Sequence, residues 1–450
     1  VGTIPAADVT TMTSDGTINF STDASAAVNY CASWYTTYMT ISYDYENLTT
    51  VDPFFTDLIV NNTSGVTSTT NLEVKGNLTL GSNAVLDMNG AFEVDGTLTN
   101  AGTIKIGSTV SSLGTMDATQ GTIEYDKAGT QTILTDNYFN LEIDGSNTKT
   151  AAGALNIDGD LTITAGTMDI GTNNADLNIA GNFANAGTFT SSGETVTFDG
   201  TGDKTSAAIS DATLDLVVNK TSSGSVTFSG TCSFDELTVT AGKLAITSNT
   251  MTADNTISIA DGAELEIGTG TFNADGSFTA NSSGEIDFTG AGNLVLSSTV
   301  TSLGALDDAV GKVTFDQGGS ATVSVPSDSY YDLDLNASTS GFFLGAGALT
   351  VNGNCKVFSG RTFLSAGNIT ATTMDIDGQL NIGNYTTAVS GASDIDGTLT
   401  IGTGTYDANG DFDATNGTID VAGSSGTLKI GATVTSLGTL DDALGTVWYD

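Results

Sequence analysis

A sixteen-residue phrase occurs three times in this chain at unequal intervals, and no other feature constrains the fold as strongly. The copies at 111–126, 301–316 and 435–450 read SSLGTMDATQGTIEYD, TSLGALDDAVGKVTFD and TSLGTLDDALGTVWYD. Each ends in an aromatic residue followed by Asp, and we take five such dipeptides as repeat marks: Tyr43-Asp44, Tyr125-Asp126, Phe198-Asp199, Phe315-Asp316 and Tyr449-Asp450. The interval between successive marks shortens once and then lengthens twice, so the marks have no fixed period.

These intervals favour a solenoid over a string of globular modules. A globular module closes its own core and repeats at a near-constant period, whereas a solenoid can gain or lose whole coils. The repeats therefore override the count of about three domains that 450 residues would suggest. Segments 267–316 and 401–450 also align with each other without a gap.

Two further words recur after the marks. The second word is rich in apolar residues and reads FFTDLIV from Phe54, NYFNLEI from Asn137, DATLDLVV from Asp211 and SYYDLDL from Ser329. The third word reads GNLTL from Gly76, GDLTI from Gly159, DELTV from Asp235 and GALTV from Gly347.

The local pattern predicts an all-β chain of short strands. Apolar and polar residues alternate over three to six positions, which is typical of half-buried strands. Only DDAL and DDAV, inside the phrase, could form as much as one helical turn. Turns every six to ten residues are tight for a β-sandwich, so the pattern favours a parallel β-helix (β-solenoid) with three short faces and about 17–24 residues per coil. The 55 Gly suit its corners, and the near absence of Pro, with 3 residues, suits coils that donate backbone N–H groups to one another.

The domain prediction has two parts. Residues 1–42 do not fit the repeat, and NYCASWYTTYMTISYDY, from Asn29 to Tyr45, concentrates Tyr around Trp34. We interpret 1–42 as an N-terminal cap or assembly segment, because a solenoid end exposes backbone and core. Residues 43–450 are predicted to be one continuous β-solenoid with irregular super-repeats, marked near 44, 126, 199, 316 and 450.

The charge balance restricts the partners. With 52 acidic and 11 basic residues the net charge is −41, which disfavours nucleic acid and anionic membranes. No run of eighteen apolar residues occurs, so no membrane insertion is expected. Most of the acid is Asp in turn words such as IDGD, which favours turn chemistry on a solvated surface. The alternative is adaptation to high salt, or divalent cations that screen rows of stacked carboxylates.

The sequence offers no catalytic constellation. There is no His, which removes Ser/His and Cys/His catalysis and the usual zinc sites. Asp307-Asp308 and Asp441-Asp442 lie inside the repeated phrase and are interpreted as structural turns, so we predict no enzyme and no catalytic residue. Cys232 and Cys355 lie in strand-like words and are expected in the core. Cys31 lies in the aromatic segment, and the odd count leaves a free thiol or an intermolecular bond.

No cofactor-binding or metal residue is predicted. Asp407, Asn409 and Asp411 are spaced like the start of a calcium loop, but the distal Glu is missing. Turn chemistry is favoured there, with Ca²⁺ as the weaker alternative. Sequons such as Asn77-Leu78-Thr79 are no more numerous than chance allows in a chain rich in Asn, Ser and Thr.

The chain resembles a style of surface protein. From about residue 43 onward, words such as GALNIDGDLTITAGTMDI and the aromatic-Asp marks resemble repeats of large secreted prokaryotic cell-surface proteins, namely β-helical adhesins, autotransporter-like passengers and sheath or surface-layer components. The resemblance implies an extracellular, non-enzymatic role and assigns no functional residue. Val1 in place of Met fits a removed signal peptide or an excerpt of a longer chain.

Two functions are favoured. The first is a structural subunit of an extracellular filament, sheath or surface layer, with copies of itself as partners through solenoid ends or sides. Contact of the last coil with the aromatic N-terminus of a neighbour would propagate as an open assembly. The second is an adhesin stalk that binds host or surface glycans. A β-helical polysaccharide-degrading enzyme is a more distant alternative.

Overall fold

The computed structural model describes residues 17–19, 39–42 and 54–450, with gaps at 222, 318–321, 338–340, 422–424 and 442–444, and only the backbone of the first two ranges. Two compact units divide the chain: 1–207 with 213–215, and 208–212 with 216–450. Both consist of short β-strands, and the described residues contain no helix.

The strands up to the end of the first unit are β1 Thr17–Asn19, β2 Met39–Ser42, β3 Phe54–Phe55, β4 Leu58–Val60, β5 Val66–Ser68, β6 Leu72–Val74, β7 Leu78–Leu80, β8 Val85–Met88, β9 Phe92–Asn100, β10 Thr103–Ile106, β11 Val110–Asp117, β12 Thr122–Tyr125, β13 Gln131–Ile133, β14 Asn137–Tyr138, β15 Asn140–Ile143, β16 Thr148–Ala151, β17 Leu155–Ile157, β18 Leu161–Ile163, β19 Thr167–Asp169, β20 Leu177–Ile179, β21 Phe183–Asn185, β22 Thr188–Thr190, β23 Thr195–Phe198 and β24 Lys204–Ser206.

The strands that follow are β25 Asp215–Asn219, β26 Ser225–Phe228, β27 Cys232–Phe234, β28 Leu237–Ala241, β29 Lys243–Ile246, β30 Thr250–Ala253, β31 Ile257–Ile259, β32 Glu264–Ile267, β33 Thr271–Ala274, β34 Phe278–Phe288, β35 Asn293–Leu296, β36 Val300–Leu306, β37 Lys312–Phe315, β38 Thr322–Val325, β39 Ser329–Tyr330, β40 Asp332–Leu335, β41 Phe342–Gly345, β42 Leu349–Val357, β43 Thr362–Leu364, β44 Ile369–Ile376, β45 Gln379–Asn381, β46 Thr386–Val389, β47 Ser393–Ile395, β48 Thr398–Thr400, β49 Thr405–Ala408, β50 Phe412–Asp413, β51 Thr418–Asp420, β52 Thr427–Ile430, β53 Val434–Ser436, β54 Thr439–Asp441 and β55 Thr446–Tyr449.

The strands pair in parallel, each with a partner one turn further along the chain. Thr362 pairs with Gln379 in a short turn, and Phe183 pairs with Ser206 in a longer one. The predicted fold class, a parallel β-solenoid, is confirmed, with about 19 turns and three strands in most turns. A β-sandwich would require antiparallel hairpins, so that alternative is excluded.

Inward side chains stack in apolar ladders with one residue per turn. Leu58, Leu78 and Leu98 occupy successive turns in register and are buried. Thr79 and Thr99 alternate with them and point outward, in register with each other. Burial of a Leu-sized side chain contributes about 1.5–3 kcal/mol. The period-two alternation of the sequence therefore places apolar side chains inside each turn, where they stack on those of the next turn.

The second word carries a polar side chain that holds a corner of the next turn. Asp57 accepts a hydrogen bond from the backbone N–H of Asn77 at 2.7 Å, and Asn140 accepts one from Asp160 at 2.8 Å. The glycine before each donor leaves space for this contact, because a Cβ on Gly76 would lie 2.5 Å from the Asp57 carboxylate. The Asp or Asn before Leu and the Gly one turn later therefore form one structural motif.

The predicted equivalence of GALTV with the other third words is wrong. Asp332 of the fourth second word accepts from the N–H of Asn354, and Gly353 is the glycine beside it. The equivalent word is thus GNCKV, whereas GALTV from Gly347 runs into the strand that pairs with Tyr330. Cys in place of Leu concealed the equivalence.

All three copies of the phrase share one turn. The N–H of Gly114 donates to the Ser112 hydroxyl at 3.0 Å, and the same bond joins the other two pairs, Gly304 to Ser302 and Gly438 to Ser436. The three glycines have φ of 64°, 65° and 58°, a left-handed conformation that Gly adopts at little cost. A Cβ on the first would also lie 2.1 Å from a backbone oxygen of the preceding turn.

The phrase ends the pairing on two faces while the third face continues. β11 and β36 carry register shifts against their partners β9 and β34, as bulges do where pairing terminates. Among the described residues neither pairs with a later strand, whereas β12 and β37 pair on both sides. New sheets begin with β13 and β38. In these two copies the phrase therefore closes a block of turns.

The marks at the ends of the three phrase copies end equivalent strands: β12 stops at Tyr125, β37 at Phe315 and β55 at Tyr449. After the first mark, the buried Tyr138 hydroxyl donates to the Leu134 carbonyl at 2.7 Å. After the second, Tyr330 donates in the same way to Pro326 at 2.9 Å. A buried phenol needs such a partner.

Only two strands of the predicted N-terminal segment are described. β1 pairs in parallel with β2, and β2 pairs with β5. Cys31 and Trp34 lie outside the described residues. The interpretation of 1–42 as a cap or assembly segment stays a prediction, as does the continuity of 43–450.

Candidate functional site on two faces of the second unit

Two neighbouring faces of the second unit carry contrasting surface chemistry. We call the outward side of β40, β42, β44, β47 and β50 the aspartate face. Its central row is in parallel register over five turns: Asp334, Lys356, Asp375, Asp394 and Asp413. Paired strands lie about 4.8 Å apart, so the last three carboxylates stack as like charges.

Lys356 is the cation of this row. Its ammonium lies 2.6 Å from the Asp375 carboxylate and 3.0 Å from that of Asp377. The hydrogen bond to Asp375 is the largest cause that raises the pKa of Lys356. The Lys356 ammonium also lies 5.0 Å from the centroid of the Phe358 ring. One lysine thus offsets the repulsion between Asp375 of the row and Asp377 beside it.

Asp394, one turn further, lies among carboxylates. Partial burial is the largest cause that raises its pKa, and the charges of Asp396, Asp375, Asp413 and Asp377 raise it further. The Asp394 side chain is nevertheless exposed to solvent, so water screens this repulsion substantially. The aspartate face therefore carries a local excess of negative charge.

The next face around the same turns carries no charge on its described outward residues. We call the outward side of β38, β41, β43, β45 and β48 the neutral face. Its outward residues form two parallel rows: Thr322, Phe342, Thr362, Gln379 and Thr398; and Ser324, Leu344, Leu364, Asn381 and Thr400. The first carboxylate beyond them in these rows is Asp420, on β51.

The neutral face presents apolar side chains to solvent. Phe342 is 52% exposed and Leu344 is 43% exposed, while Phe343 between them is buried. Leu364 follows Leu344 in register on the next turn. Scattered single apolar residues are normal on surfaces, whereas Phe342 and Leu344 lie close together on an uncharged sheet.

Two lysines on other strands form ion pairs of the same kind. The Lys105 ammonium lies 2.7 Å from Glu124 on the next turn, and Lys243 lies 2.6 Å from Glu264. Two groups of three carboxylates have oxygens within 4.8 Å of one another: Glu73 with Glu93 and Asp95, and Glu264 with Glu266 and Asp287. Oxygen ligands of this kind suit hard cations.

In both groups a lysine already contacts two of the three carboxylates. Lys75 bridges Glu73 and Asp95, and Lys243 bridges Glu264 and Glu266. An ammonium therefore supplies the counter-charge that a divalent cation would supply. We assign these groups to charge balance between turns.

The calcium-like spacing in the sequence corresponds to a corner. Asp407 points outward from β49 opposite Lys429, whereas Asp413 lies on β50, which belongs to a different stack of strands. The Asp413 carboxylate accepts from the Thr415 N–H at 2.9 Å, two residues on. The turn interpretation is confirmed at Asp307, which accepts from the Ala309 N–H at 3.0 Å. Asp407 lies within a strand, β49, and the turn interpretation of Asn409 and Asp411 stays a prediction.

The other residues considered for chemistry are structural or undescribed. Cys232 and Cys355 are buried free thiols, as predicted, and burial raises their pKa to about 11 and about 12. Thiols of this kind are unreactive at neutral pH. Asp441 ends β54, and Asp442 lies outside the described residues.

A cleft of about 250 Å³ opens in the first unit where β13 begins a new sheet. Threonines and Lys127 line it together with Gln131. The Gln131 amide donates to the Ile106 and Ser108 carbonyls at 2.7 and 2.8 Å. The Gln131 amide thus satisfies carbonyls that lack a strand partner. We therefore interpret the cleft as a consequence of the sheet edge at β13.

The neutral face was not predicted from the sequence, although a signal for it exists. GFFLGAG, from Gly341, reads as a continuous apolar run, and such a run does not reveal which side chains point outward. Register supplies that information, because Phe343 continues the buried ladder between Val323 and Phe363. Phe342 and Leu344 must then face solvent.

In comparisons with known proteins, no family model, no curated protein and no solved structure matches this chain. Within the described residues, no helix has the length and apolar character needed to span a bilayer.

Proposed function

We propose that this protein is a non-enzymatic extracellular structural protein, a subunit of a filament, sheath or surface layer that assembles with copies of itself. The observation that carries the proposal is the repetition of outward chemistry in register, turn after turn, on the aspartate and neutral faces. A surface that presents the same groups at a fixed spacing suits lateral or end-to-end contact with an identical surface.

The interior supports the same proposal. Apolar ladders and corner hydrogen bonds repeat in both units, and the phrase closes a block of turns in each. Within the phrase, Asp307 serves a turn, and Asp117 and Asp441 end strands. An extracellular location rests on the resemblance to secreted surface proteins and on the composition.

An adhesin stalk that binds surface glycans is the alternative. One observation favours it: the exposed Phe342 ring lies in a row with Thr322 and Thr362. An aromatic face beside hydroxyl groups can stack on a sugar ring and hydrogen-bond to it.

Electron microscopy of the purified chain in negative stain tests the proposal. Fibres, sheets or ordered bundles that grow with protein concentration are expected. Discrete particles of one fixed size at every concentration, together with retention on a glycan array, would instead support the adhesin. A fixed size without glycan binding would leave neither function standing.

A further inference from the structure

We propose that the neutral face is the surface through which two copies of this chain pack against each other. The inference rests on the proposed function and assigns its lateral contact to β38, β41, β43, β45 and β48. The partner is a second copy that presents the same face, with Phe342 and Leu344 inside the contact.

The charge distribution disfavours the aspartate face for a self-contact and permits the neutral face. Each chain carries a net charge of −41, so two copies repel each other at most orientations. Contact through the aspartate face would bring Asp375, Asp394 and Asp413 of one copy against acidic residues of the other. Like charges brought together with loss of water are strongly unfavourable. The neutral face carries no charge over five strands. The outward row Ser329, Thr350, Thr370 and Ala388 of the third face is also uncharged, but only the neutral face adds the exposed Phe342 and Leu344.

The side chains of the neutral face also suit an interface. Interface centres are depleted in charged residues and enriched in aromatic ones. Phe342 and Leu344 supply exposed apolar surface, and Leu364 extends it to the next turn. The surrounding Thr, Ser, Gln and Asn side chains form hydrogen bonds without bringing charge. Two sheets packed in this way lie about 10 Å apart.

The area of the proposed contact is small, which limits the affinity between two copies. Five strands about 4.8 Å apart and three residues wide cover on the order of 200–300 Å², against about 800 Å² per partner in a stable complex. Pairwise association is therefore weak and reversible. Repetition of the contact along an assembly makes it effective, because each bound copy raises the effective concentration of the next.

Sedimentation velocity of the full chain with two matched variants tests the assignment. Thr362→Asp places a carboxylate on the neutral face, and Thr350→Asp places one on an exposed Thr of a different face of the same unit. At about 100 µM protein, wild type and Thr350→Asp should self-associate alike. Thr362→Asp should weaken association at least tenfold, and the double variant Phe342→Thr/Leu344→Thr should weaken it similarly.

Salt separates this contact from one made by ion pairs. An increase from about 0.02 to 0.5 M NaCl should strengthen association of the wild type, because screening reduces repulsion between the chains while an apolar contact persists. An ion-paired contact would weaken instead, and that result would contradict the assignment.

The outcomes distinguish the inference from the proposed function. Wild-type association that is equally strong in Thr362→Asp and Thr350→Asp refutes the neutral face and leaves the structural function in place. A wild type that stays monomeric at all concentrations and salts refutes both. Circular dichroism spectra that match the wild type show that each variant is folded, and the Thr double variant keeps the test valid if Thr362→Asp does not fold.

Discussion

The aspartate face and the neutral face belong to the same turns and share one interior, yet their outer surfaces differ in charge and polarity. Leu333 and Met374 behind the aspartate face are as fully buried as Phe343 and Phe363 behind the neutral face. The inward residues of both faces form ladders in continuous register. The fold therefore does not depend on which outward residues either face carries.

This separation of inner and outer residues has a physical basis. In a strand, successive side chains point to opposite sides, so a solenoid can vary its outer rows without disturbing its core. Stacked carboxylates repel one another, and exposed apolar groups order water around them. Each face therefore carries a cost in the isolated chain, which environment or partners can offset.

The strongest test of a shared interior compares inward substitutions on the two faces. Phe343→Ala and Met374→Ala should lower the free energy of unfolding by about 3–5 and 2–5 kcal/mol, because each leaves a cavity in a ladder. The outward Phe342→Ala should change it by less than about 0.5 kcal/mol in dilute protein. Urea unfolding followed by circular dichroism measures all three. Equal effects of Phe342→Ala and Phe343→Ala would contradict the assignment of sides.

A smaller effect separates structural from surface aspartates on the aspartate face. Asp332→Ala leaves the N–H of Asn354 without its acceptor at 2.7 Å and should lower the free energy of unfolding by about 1–3 kcal/mol. Asp332→Asn is the matched control, because Asn140 performs this task in the first unit with an amide oxygen. Urea unfolding should find the Asn variant within about 0.5 kcal/mol of the wild type. Equal losses in both variants would mean that charge, not hydrogen bonding, matters there.

The ion pairs of Lys356 on the aspartate face contribute less to the free energy of unfolding. Lys356→Met keeps an apolar contact with Phe358 and removes the ion pairs with Asp375 and Asp377. These groups are partly exposed, so the loss should be about 0.2–1 kcal/mol at low salt and smaller at 1 M NaCl. Lys429→Met is the control, because the described structure records no ion pair for that ammonium. A loss that persists unchanged at high salt would show that packing, and not charge, is responsible.

Much of the fold could be predicted from the sequence because it is repetitive. Alternation of apolar and polar residues identified short strands, and unequal intervals between fixed words identified a solenoid. The turn role of Asp, as at Asp307, followed from its side-chain chemistry. These inferences depend on interactions within one strand or one corner, which a sequence displays directly.

The contrast between faces could not be predicted, because it depends on register between turns. Asp375, Asp394 and Asp413 are each a full turn apart in the sequence and adjoin only when the turns are stacked. The incorrect match of GALTV at Gly347 has a separate cause, because Cys355 stands where the other third words have Leu. The role of Gly304 as part of a pairing stop likewise required the bulged register of β36.

The smallest expected effect isolates the charge of the aspartate row. The folded-state pKa of Asp394 lies above its unfolded value of 3.8, so the folded state binds the proton more tightly. The resulting stability is fully present below about pH 3.8 and is lost as the pH rises through the folded-state pKa. At neutral pH the ionised Asp394 therefore opposes folding, and Asp394→Asn should raise the thermal midpoint at pH 7 by no more than about 1–2 °C.

Asp261 provides a control of opposite sign. Hydrogen bonds from Ser283, first from its backbone N–H at 2.9 Å, lower the pKa of Asp261. Its contribution to stability is present above its unfolded pKa and is lost as the pH falls through the folded-state pKa, so Asp261→Asn should lower the midpoint at pH 7. The differences of both variants from the wild type should shrink toward low pH, as the carboxyl groups of the wild type become protonated. Thermal scans from pH 3 to 7 measure both variants. If Asp394→Asn also lowered the midpoint at pH 7, neither partial burial of the carboxylate nor repulsion along the row would destabilise the aspartate face.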